Sequence, residues 1–200
     1  MTGPGGPGRL GDARFPRWAE LRSAAVAFAR HDWPVLRGTY SVMDGGRQVW
    51  CGRDGAVGLR PVDTDWSLGC TTRAPDVAQW WAEQPFSVLV ATGYGVDCAE
   101  LPSPFGRSML NPLRAAGVRL PIMLTPVNTV VLFIQSVRWP RPALTALSLR
   151  STGNWIPVPP TEQGNCSSGG YRWLVAPGSV DWQLPDLSSV THVIESATGR

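Results

Sequence analysis

Short apolar runs rich in β-branched residues recur along this sequence, and segments with helical periodicity lie between them. FSVLVATG (86–93) and TVVLFIQ (129–135) are the clearest of these runs. Runs of this kind, bounded by glycine or proline, are typical of buried strands. Further strands are expected at WPVL, LPIMLT, LSLR, WIPVPP and YRWLVAP. Because strands and helices are interleaved without a strict repeat, the pattern favours an α+β or an α/β fold.

Four segments have the features of helices. They are RWAELRSAAVAFARHDW, TTRAPDVAQWWAEQP, PFGRSMLNPLRAAG and PDLSSVTHVIESA. The first is expected to end near His31, and the second to bury Val77, Trp80 and Trp81. Pro112 should kink the third helix, because proline has no N–H to donate and its ring clashes with the preceding turn.

Three stretches are predicted to lack regular structure. Residues 1–16 are rich in glycine and proline and are predicted to be a disordered tail, which leaves 17–196 as the folded domain. Residues 37–70 are rich in Gly, Asp and Arg and are predicted to form a long loop. GNCSSGG (164–170) is predicted to be a flexible hairpin loop, and it lacks the lysine and following helix of a phosphate-binding P-loop.

Composition points to a globular chain with a mild charge. Hydrophobic residues make up 43% of the sequence, charged residues make up 16%, and the formal net charge is +3. All 18 basic residues are arginine, and they are scattered rather than clustered. Charge alone therefore does not indicate sequence-independent binding to nucleic acid.

The cysteines and the N-terminal sequence bear on metal binding and on compartment. The four cysteines are far apart with no CxxC pair, and the sequence has two histidines, so the spacing argues against a zinc site. Four cysteines in such a chain need no disulfide, so a reduced, cytoplasmic setting is expected. The N-terminus lacks the apolar core of a signal peptide, and no apolar run approaches the roughly 18 residues that span a bilayer.

The stretch GVDCAELP (95–102) carries two acids directly after an apolar run. A strand that ends in carboxylates is where many phosphoryl-transfer enzymes hold metal ions. Asp97 and Glu100 are three residues apart, however, and side chains on a strand alternate between its two faces. We therefore expect the two carboxylates to point in opposite directions.

Several segments, in this order, resemble one family. AAVAFARHDWPVL is similar to the opening helix and strand of the primase-polymerase domains of the archaeo-eukaryotic primase superfamily. TTRAPDVAQWWAEQPFSVLVATG and GNWIPVPPTEQGNCSSGGYRWLVAP resemble two further segments of that family. The resemblance covers roughly residues 20–180 and is greatest to short, stand-alone actinobacterial proteins labelled bifunctional DNA primase/polymerase. It implies a single α+β domain with a mixed sheet flanked by helices.

The resemblance also implies a chemistry, which is nucleotidyl transfer assisted by two divalent ions. The family uses two acids spaced i, i+2 on one strand, a third acid on a later strand, and a histidine between them. In this sequence Glu100 takes the place of the first acid, and Pro102 takes the place of the second. Val131 stands where the family has its histidine, and Ser148 stands where it has the third acid. Glu100 is thus the one acid that remains.

From this loss we expect a degenerate primase/polymerase-like domain without catalytic residues and without a cofactor. The vestigial cleft would be lined by Glu100, Val131, Ser148 and Arg150. Glu100 would be at most a lone metal ligand, or would cap a loop or pair with an arginine. Arg150 would either pair with that carboxylate or contact a phosphate. The expected role is binding DNA, a nucleotide or a protein partner.

An alternative retains metal-dependent primase or polymerase activity. In it Glu100, Asp97 and a loop acid such as Asp65 would hold Mg²⁺ or Mn²⁺. This alternative requires the three carboxylates to converge.

Other residues that attract attention have simpler interpretations. Asp63 and Asp65 form a DxD in a polar loop, where aspartate most often makes a turn. His31 and His192 have no neighbouring nucleophile in the sequence, so catalysis by either is not expected. The four tryptophans that could stack on bases are expected to pack in the core and on the sheets instead; they are Trp80, Trp81, Trp155 and Trp173.

Overall fold

The computed structural model describes residues 15–136, 147–162 and 170–199. Within these ranges lie six α-helices: α1 (Phe15–Arg30), α2 (Trp66–Gly69), α3 (Ala74–Glu83), α4 (Ser103–Ser108), α5 (Leu110–Ala115) and α6 (Leu187–Thr198). The strands are β1 (Val35–Gly38), β2 (Tyr40–Asp44), β3 (Arg47–Cys51), β4 (Ser87–Ala91), β5 (Val96–Pro102), β6 (Ile122–Leu124), β7 (Thr129–Gln135), β8 (Ser148–Arg150), β9 (Trp155–Pro157) and β10 (Arg172–Val175). A short 3₁₀ turn, Pro177–Val180, precedes α6.

The described strands form two sheets and a separate hairpin. One sheet has three strands in the order β1-β4-β9, and the other has five in the order β10-β6-β7-β5-β8. β2 and β3 pair only with each other. Each pairing between these strands is antiparallel. Of the described residues, 34% are helical and 29% are in strands, which is the α+β architecture expected from the sequence.

One hydrophobic core joins both sheets to α1 and α3. β4 is buried along its whole length, and its Val88 and Val90 face this core. Trp33, which precedes β1, meets Phe133 of β7 with ring centroids 5.0 Å apart. Because these apolar side chains come from separate elements, their burial holds the three-stranded sheet against the five-stranded one.

A second core fills the opposite face of the five-stranded sheet. Leu113 of α5 and Val190 of α6 pack there against sheet residues such as Leu132. β5 contributes to both cores, with Cys98 in the first and Leu101 in the second. This alternation is the period of two expected for a strand buried on both faces. It fixes which β5 side chains point toward the space between the sheets.

The expected kink in the third helix is present as a break between α4 and α5 at Met109. Pro112 cannot donate a hydrogen bond to the carbonyl of Ser108, four residues earlier, which explains where the break falls. α4 lies directly on β7. The approach is so close that a Cβ at Gly106 would come within 2.5 Å of the Val130 side chain. This close approach puts α4 beside the turn between β6 and β7.

The prediction that residues 37–70 form an irregular loop was wrong. Residues 40–51 form the β2–β3 hairpin, and α2 begins at Trp66. Gly45 and Gly46 make the two-residue turn, and both have positive φ, as such a hairpin turn requires. Much of the hairpin is exposed, so its sequence lacks the apolar alternation that marks a half-buried strand.

Some predictions fall on residues that the structure does not describe. Residues 1–14 of the predicted tail and residues 164–169 of the predicted loop lie outside the described ranges. α1 begins at Phe15, within the predicted tail. Among the described helices, none has the length and apolar character needed to cross a membrane.

Candidate functional site

Three of the predicted cleft residues form one row across neighbouring strands. Glu100 of β5 lies opposite Val131 of β7 on one side and opposite Ser148 of β8 on the other. Directly paired residues in an antiparallel sheet share a face. Pro102, two residues after Glu100 on β5, lies on this same face opposite Thr129. The four positions named from the sequence are therefore neighbours.

Arg150 lies next to this row and forms a salt bridge with Glu100. It lies opposite Cys98, two pairs along the ladder from Glu100 and Ser148 and therefore on the same face. Its Nε donates to Glu100 Oε1 over 2.7 Å, and its Nη2 donates to Oε2 over 3.2 Å. Of the two roles considered for Arg150, the structure shows the pairing with the Glu100 carboxylate.

The salt bridge is partly shielded from water. The Glu100 side chain is 18% exposed, and that of Arg150 is 43% exposed. The hydrogen bond to Glu100 raises the pKa of Arg150, against the opposing effect of partial burial. The guanidinium is therefore held charged, and both carboxylate oxygens are engaged by one planar group. Beneath the pair, burial raises the pKa of the Cys98 thiol, which makes it a poor nucleophile at neutral pH.

Asp97 is on the other face of β5 and has a different role. It is fully buried, and its Oδ1 accepts hydrogen bonds from the Gly93 backbone N–H (2.8 Å) and from Ser136 Oγ (3.3 Å). Gly93 has φ +95°, and a Cβ there would come within 2.4 Å of Thr152. Asp97 therefore secures the glycine turn between β4 and β5. It does not converge with Glu100, as the alternative metal site would require.

The acids of the DxD have separate surroundings. Both oxygens of Asp63 accept from Arg37 Nη2 at 3.0 Å. Asp65 directly precedes α2 and makes no side-chain capping bond to it. Across residues 15–136, 147–162 and 170–199, no group of three or more His, Cys, Asp or Glu side chains is placed to hold a metal ion.

The two histidines have different surroundings in the described structure. The His31 ring stacks on Trp182, with centroids 4.0 Å apart and planes 9° apart. His192 is on the exposed side of α6. The stacking gives His31 a packing role.

The four tryptophans pack on the core and the sheets. Trp81 is buried and donates from Nε1 to the Phe86 carbonyl, and Trp173 lies 5.5 Å from the Phe133 ring. Trp80 is partly buried beneath the Arg37 guanidinium, 5.0 Å from its ring centroid. Trp155 is partly buried and packs against a small cluster of Leu36, Leu89 and Ala91, and it also lines the wall of the cleft.

The cleft above the Glu100–Arg150 pair is a cavity of about 490 Å³. Its walls come from the long connection before α3, the β6–β7 turn and the start of β9. The side chains that give it polar or aromatic character are Trp66, Thr125, Thr129, Asn154, Trp155 and Tyr171. The volume is within the range of small-molecule binding sites.

A second cavity, of about 740 Å³, adjoins the first. The two have Thr125 and Tyr171 as shared walls, and the second also contains Arg107 and Arg172. Sequence reasoning did not single out these arginines. Arg107 is on α4 and Arg172 is on β10, and both line this cavity because α4 packs on the sheet. No local sequence pattern predicts that the two arginines lie near each other.

The donor set at the cleft does not fit a pair of divalent ions. Two such ions need several oxygen ligands, mostly carboxylates. Among the described residues of this row, Glu100 supplies the one carboxylate, and Arg150 engages both of its oxygens. Val131 offers no ligand, and the Ser148 hydroxyl is a weak one in comparison with a carboxylate.

Comparison with known protein families gives a match over most of the chain. The family model described as bifunctional DNA primase/polymerase, N-terminal, matches residues 25–188. No curated protein matches the chain.

Proposed function

The chain belongs to the bifunctional DNA primase/polymerase family, and from that premise we propose that it binds phosphate-bearing ligands, nucleic acid or nucleotide, without transferring nucleotides. Family membership supports a primase/polymerase-like function and an interaction with nucleic acid or nucleotide. The loss of catalysis is our inference from the residues of the cleft.

The Glu100–Arg150 pair is the observation that carries this proposal. A metal ion at Glu100 would have to displace two charge-assisted hydrogen bonds, and it would then lie beside a guanidinium of like charge. The neighbours that replace the family's other ligands, Val131 and Ser148, cannot compensate. Members of a catalytic site act as a unit, so the loss of several of them is expected to abolish activity rather than reduce it in steps.

The binding part of the proposal rests on what the cleft retains. Arginine binds phosphate oxygens in a bidentate manner, and aromatic rings provide stacking surfaces for bases. The two adjoining cavities contain Arg107 and Arg172 together with Tyr171 and Trp155. The two cavities therefore have side chains suited to binding a phosphate and a base.

Primer extension with purified protein tests the loss of catalysis. The wild-type chain, Glu100→Ala and Glu83→Ala would be incubated with primed template, all four deoxynucleotides and either Mg²⁺ or Mn²⁺. Glu83, exposed at the end of α3, is the matched control for removing an acid. We expect no extension by any of the three. Metal-dependent extension by the wild type and Glu83→Ala, but not by Glu100→Ala, would overturn the proposal.

A binding titration tests the part of the proposal that concerns ligand binding. Labelled single-stranded DNA, double-stranded DNA and deoxynucleoside triphosphate would each be titrated at low ionic strength. We expect binding to at least one of these ligands, and we expect it to weaken as salt is added, because phosphate contacts release counterions. Absence of binding to all three would count against the proposal and would favour a protein partner.

A further inference from the structure

We propose that Arg107 and Arg172 form a phosphate-binding site for a single-stranded nucleic acid, which continues past Tyr171 into the cleft above Glu100 and Arg150. This inference rests on the proposed function and makes it more specific. It assigns the ligand class to an extended strand and assigns the phosphate contacts to two residues outside the family's catalytic positions.

The shape of the open space is the first argument. The two cavities, of about 740 and 490 Å³, meet at Thr125 and Tyr171 around the β6–β7 turn. Either one is large enough for a single small ligand. Two adjoining cavities that share walls suit a ligand that is long and narrow, such as a strand of nucleotides, better than a compact one.

The charge of the second cavity is the next argument. Arg107 donates from Nε to Ser103 Oγ over 3.0 Å, which orients the guanidinium, and it has no ion pair among the described residues. Arg172 is exposed and likewise has no ion pair within those ranges. The acid in this cavity, Glu162, pairs with Arg17. Two positive groups are thus available to an anion.

The aromatic residues that line the two cavities are the third argument. Tyr171 is partly buried and lines both cavities, and Trp155 lines the one that contains Arg150. Stacking of bases on such rings, beside a positively charged groove that follows the backbone, is the usual way in which single strands are bound. A duplex would not present its bases to these rings.

Fluorescence anisotropy with a labelled oligothymidylate of about 12 nucleotides tests the site. The double variant Arg107→Ala/Arg172→Ala would be compared with the wild type and with Arg47→Ala/Arg114→Ala. The control arginines are exposed, lie outside both cavities and remove the same charge. Arg107→Lys/Arg172→Lys, which keeps the charge, would be measured alongside.

We expect Arg107→Ala/Arg172→Ala to bind at least about tenfold more weakly, and the control pair to change affinity by less than about twofold. The slope of log affinity against log salt should become shallower by about 1.4, since each single-strand phosphate contact accounts for about 0.7. The lysine variant should retain the wild-type slope. Far-UV circular dichroism and Tm would show that the variants are folded.

Three results would contradict the inference. Equal weakening by the two alanine pairs would mean that general charge, and not this site, attracts the strand. Unchanged binding by Arg107→Ala/Arg172→Ala would remove the two arginines from the interface while leaving the proposed function in place. Binding of a free deoxynucleoside triphosphate as tightly as the oligonucleotide would replace the extended strand with a mononucleotide. If the wild type binds no ligand at all, the proposed function fails as well.

Discussion

At the scale of single residues, the pairing of Glu100 with Arg150 determines the electrostatics of the cleft. The sequence identified Glu100 as the remaining acid and left two roles open for Arg150. Which role it takes depends on the side-chain conformation of Arg150 and on the β5–β8 register, and the register follows from long-range strand pairing. Local sequence patterns carry no information about either. The structure joins the two side chains through two hydrogen bonds.

A double-mutant cycle with Glu100→Gln and Arg150→Ala measures this interaction. We expect a coupling free energy of about 1–2 kcal/mol from urea unfolding, because the hydrogen bonds are charge-assisted but Arg150 is exposed enough for water to screen the pair. A cycle on Arg73 and Asp76 is the control, since those side chains are 77% and 40% exposed. That surface pair should give less than about 0.5 kcal/mol. Equal couplings in the two cycles would show that the cleft pair contributes no more than an ordinary surface ion pair.

At the scale of elements, apolar periodicity predicted the buried strands and the longer helices, and turn chemistry was the signal that was missed. FSVLVATG and TVVLFIQ became β4 and β7, because β-branched residues in short runs favour a strand that is buried on both faces. The β2–β3 hairpin has little apolar burial, but its Gly45-Gly46 pair is a known hairpin signal. Reading that pair would have predicted the hairpin.

The last helix offers a test of an element boundary. Asp186 is the N-cap of α6, and its Oδ1 accepts from the Ser189 backbone N–H over 2.8 Å. We expect Asp186→Ala to lower the free energy of unfolding by about 1 kcal/mol near neutral pH, as measured by urea titration. Asp186→Asn, which keeps a capping oxygen, is the control and should lose only a few tenths of a kcal/mol.

The contribution of Asp186 should also depend on pH in a definite direction. Hydrogen bonds from the Ser188 side chain, and from the backbone and side chain of Ser189, lower the pKa of Asp186 from 3.8 to about 2. A depressed pKa in the folded state means that the stabilisation is present above about pH 4 and is lost as the pH falls toward 2. The difference between wild type and Asp186→Ala should therefore shrink in that interval. A difference that stays constant down to about pH 2.5 would contradict the capping role of the carboxylate.

At the scale of the whole molecule, two sheets and the helices packed on them hold the cleft in place whether or not metal ligands are present. The strands of the Glu100 row are fixed by cores on both faces of the five-stranded sheet. The fold class was predictable from the periodicity and order of the strands and helices, whereas the membership of this row was predictable only through the resemblance to the primase-polymerase family. The second cavity was not predictable, because α4 and β10 meet there through packing alone. A scaffold of this kind should present carboxylates correctly if they are put back.

Restoring carboxylates therefore tests the interpretation of the cleft as a former metal site. In Pro102→Asp/Ser148→Asp/Arg150→Ala, two new carboxylates would lie on the face of Glu100, one two residues along β5 and the other directly opposite it on β8. Mn²⁺ should then stabilise the protein by about 2.7 kcal/mol at 100 times its Kd. In a chain of this length that raises Tm by about 5–10 °C. Differential scanning calorimetry, with and without Mn²⁺, measures the shift.

The control replaces the two new acids by their uncharged isosteres, as Pro102→Asn/Ser148→Asn/Arg150→Ala. This variant should gain at most a small Mn²⁺-dependent shift, because amide oxygens carry no charge and only the Glu100 carboxylate remains. Retaining Arg150 in the aspartate variant should reduce the shift, since the guanidinium competes with the ion for Glu100. If the aspartate and asparagine variants shift equally, or if neither shifts, these positions do not converge on a metal site, and the loss of ligands at Pro102 and Ser148 no longer explains the function of the domain.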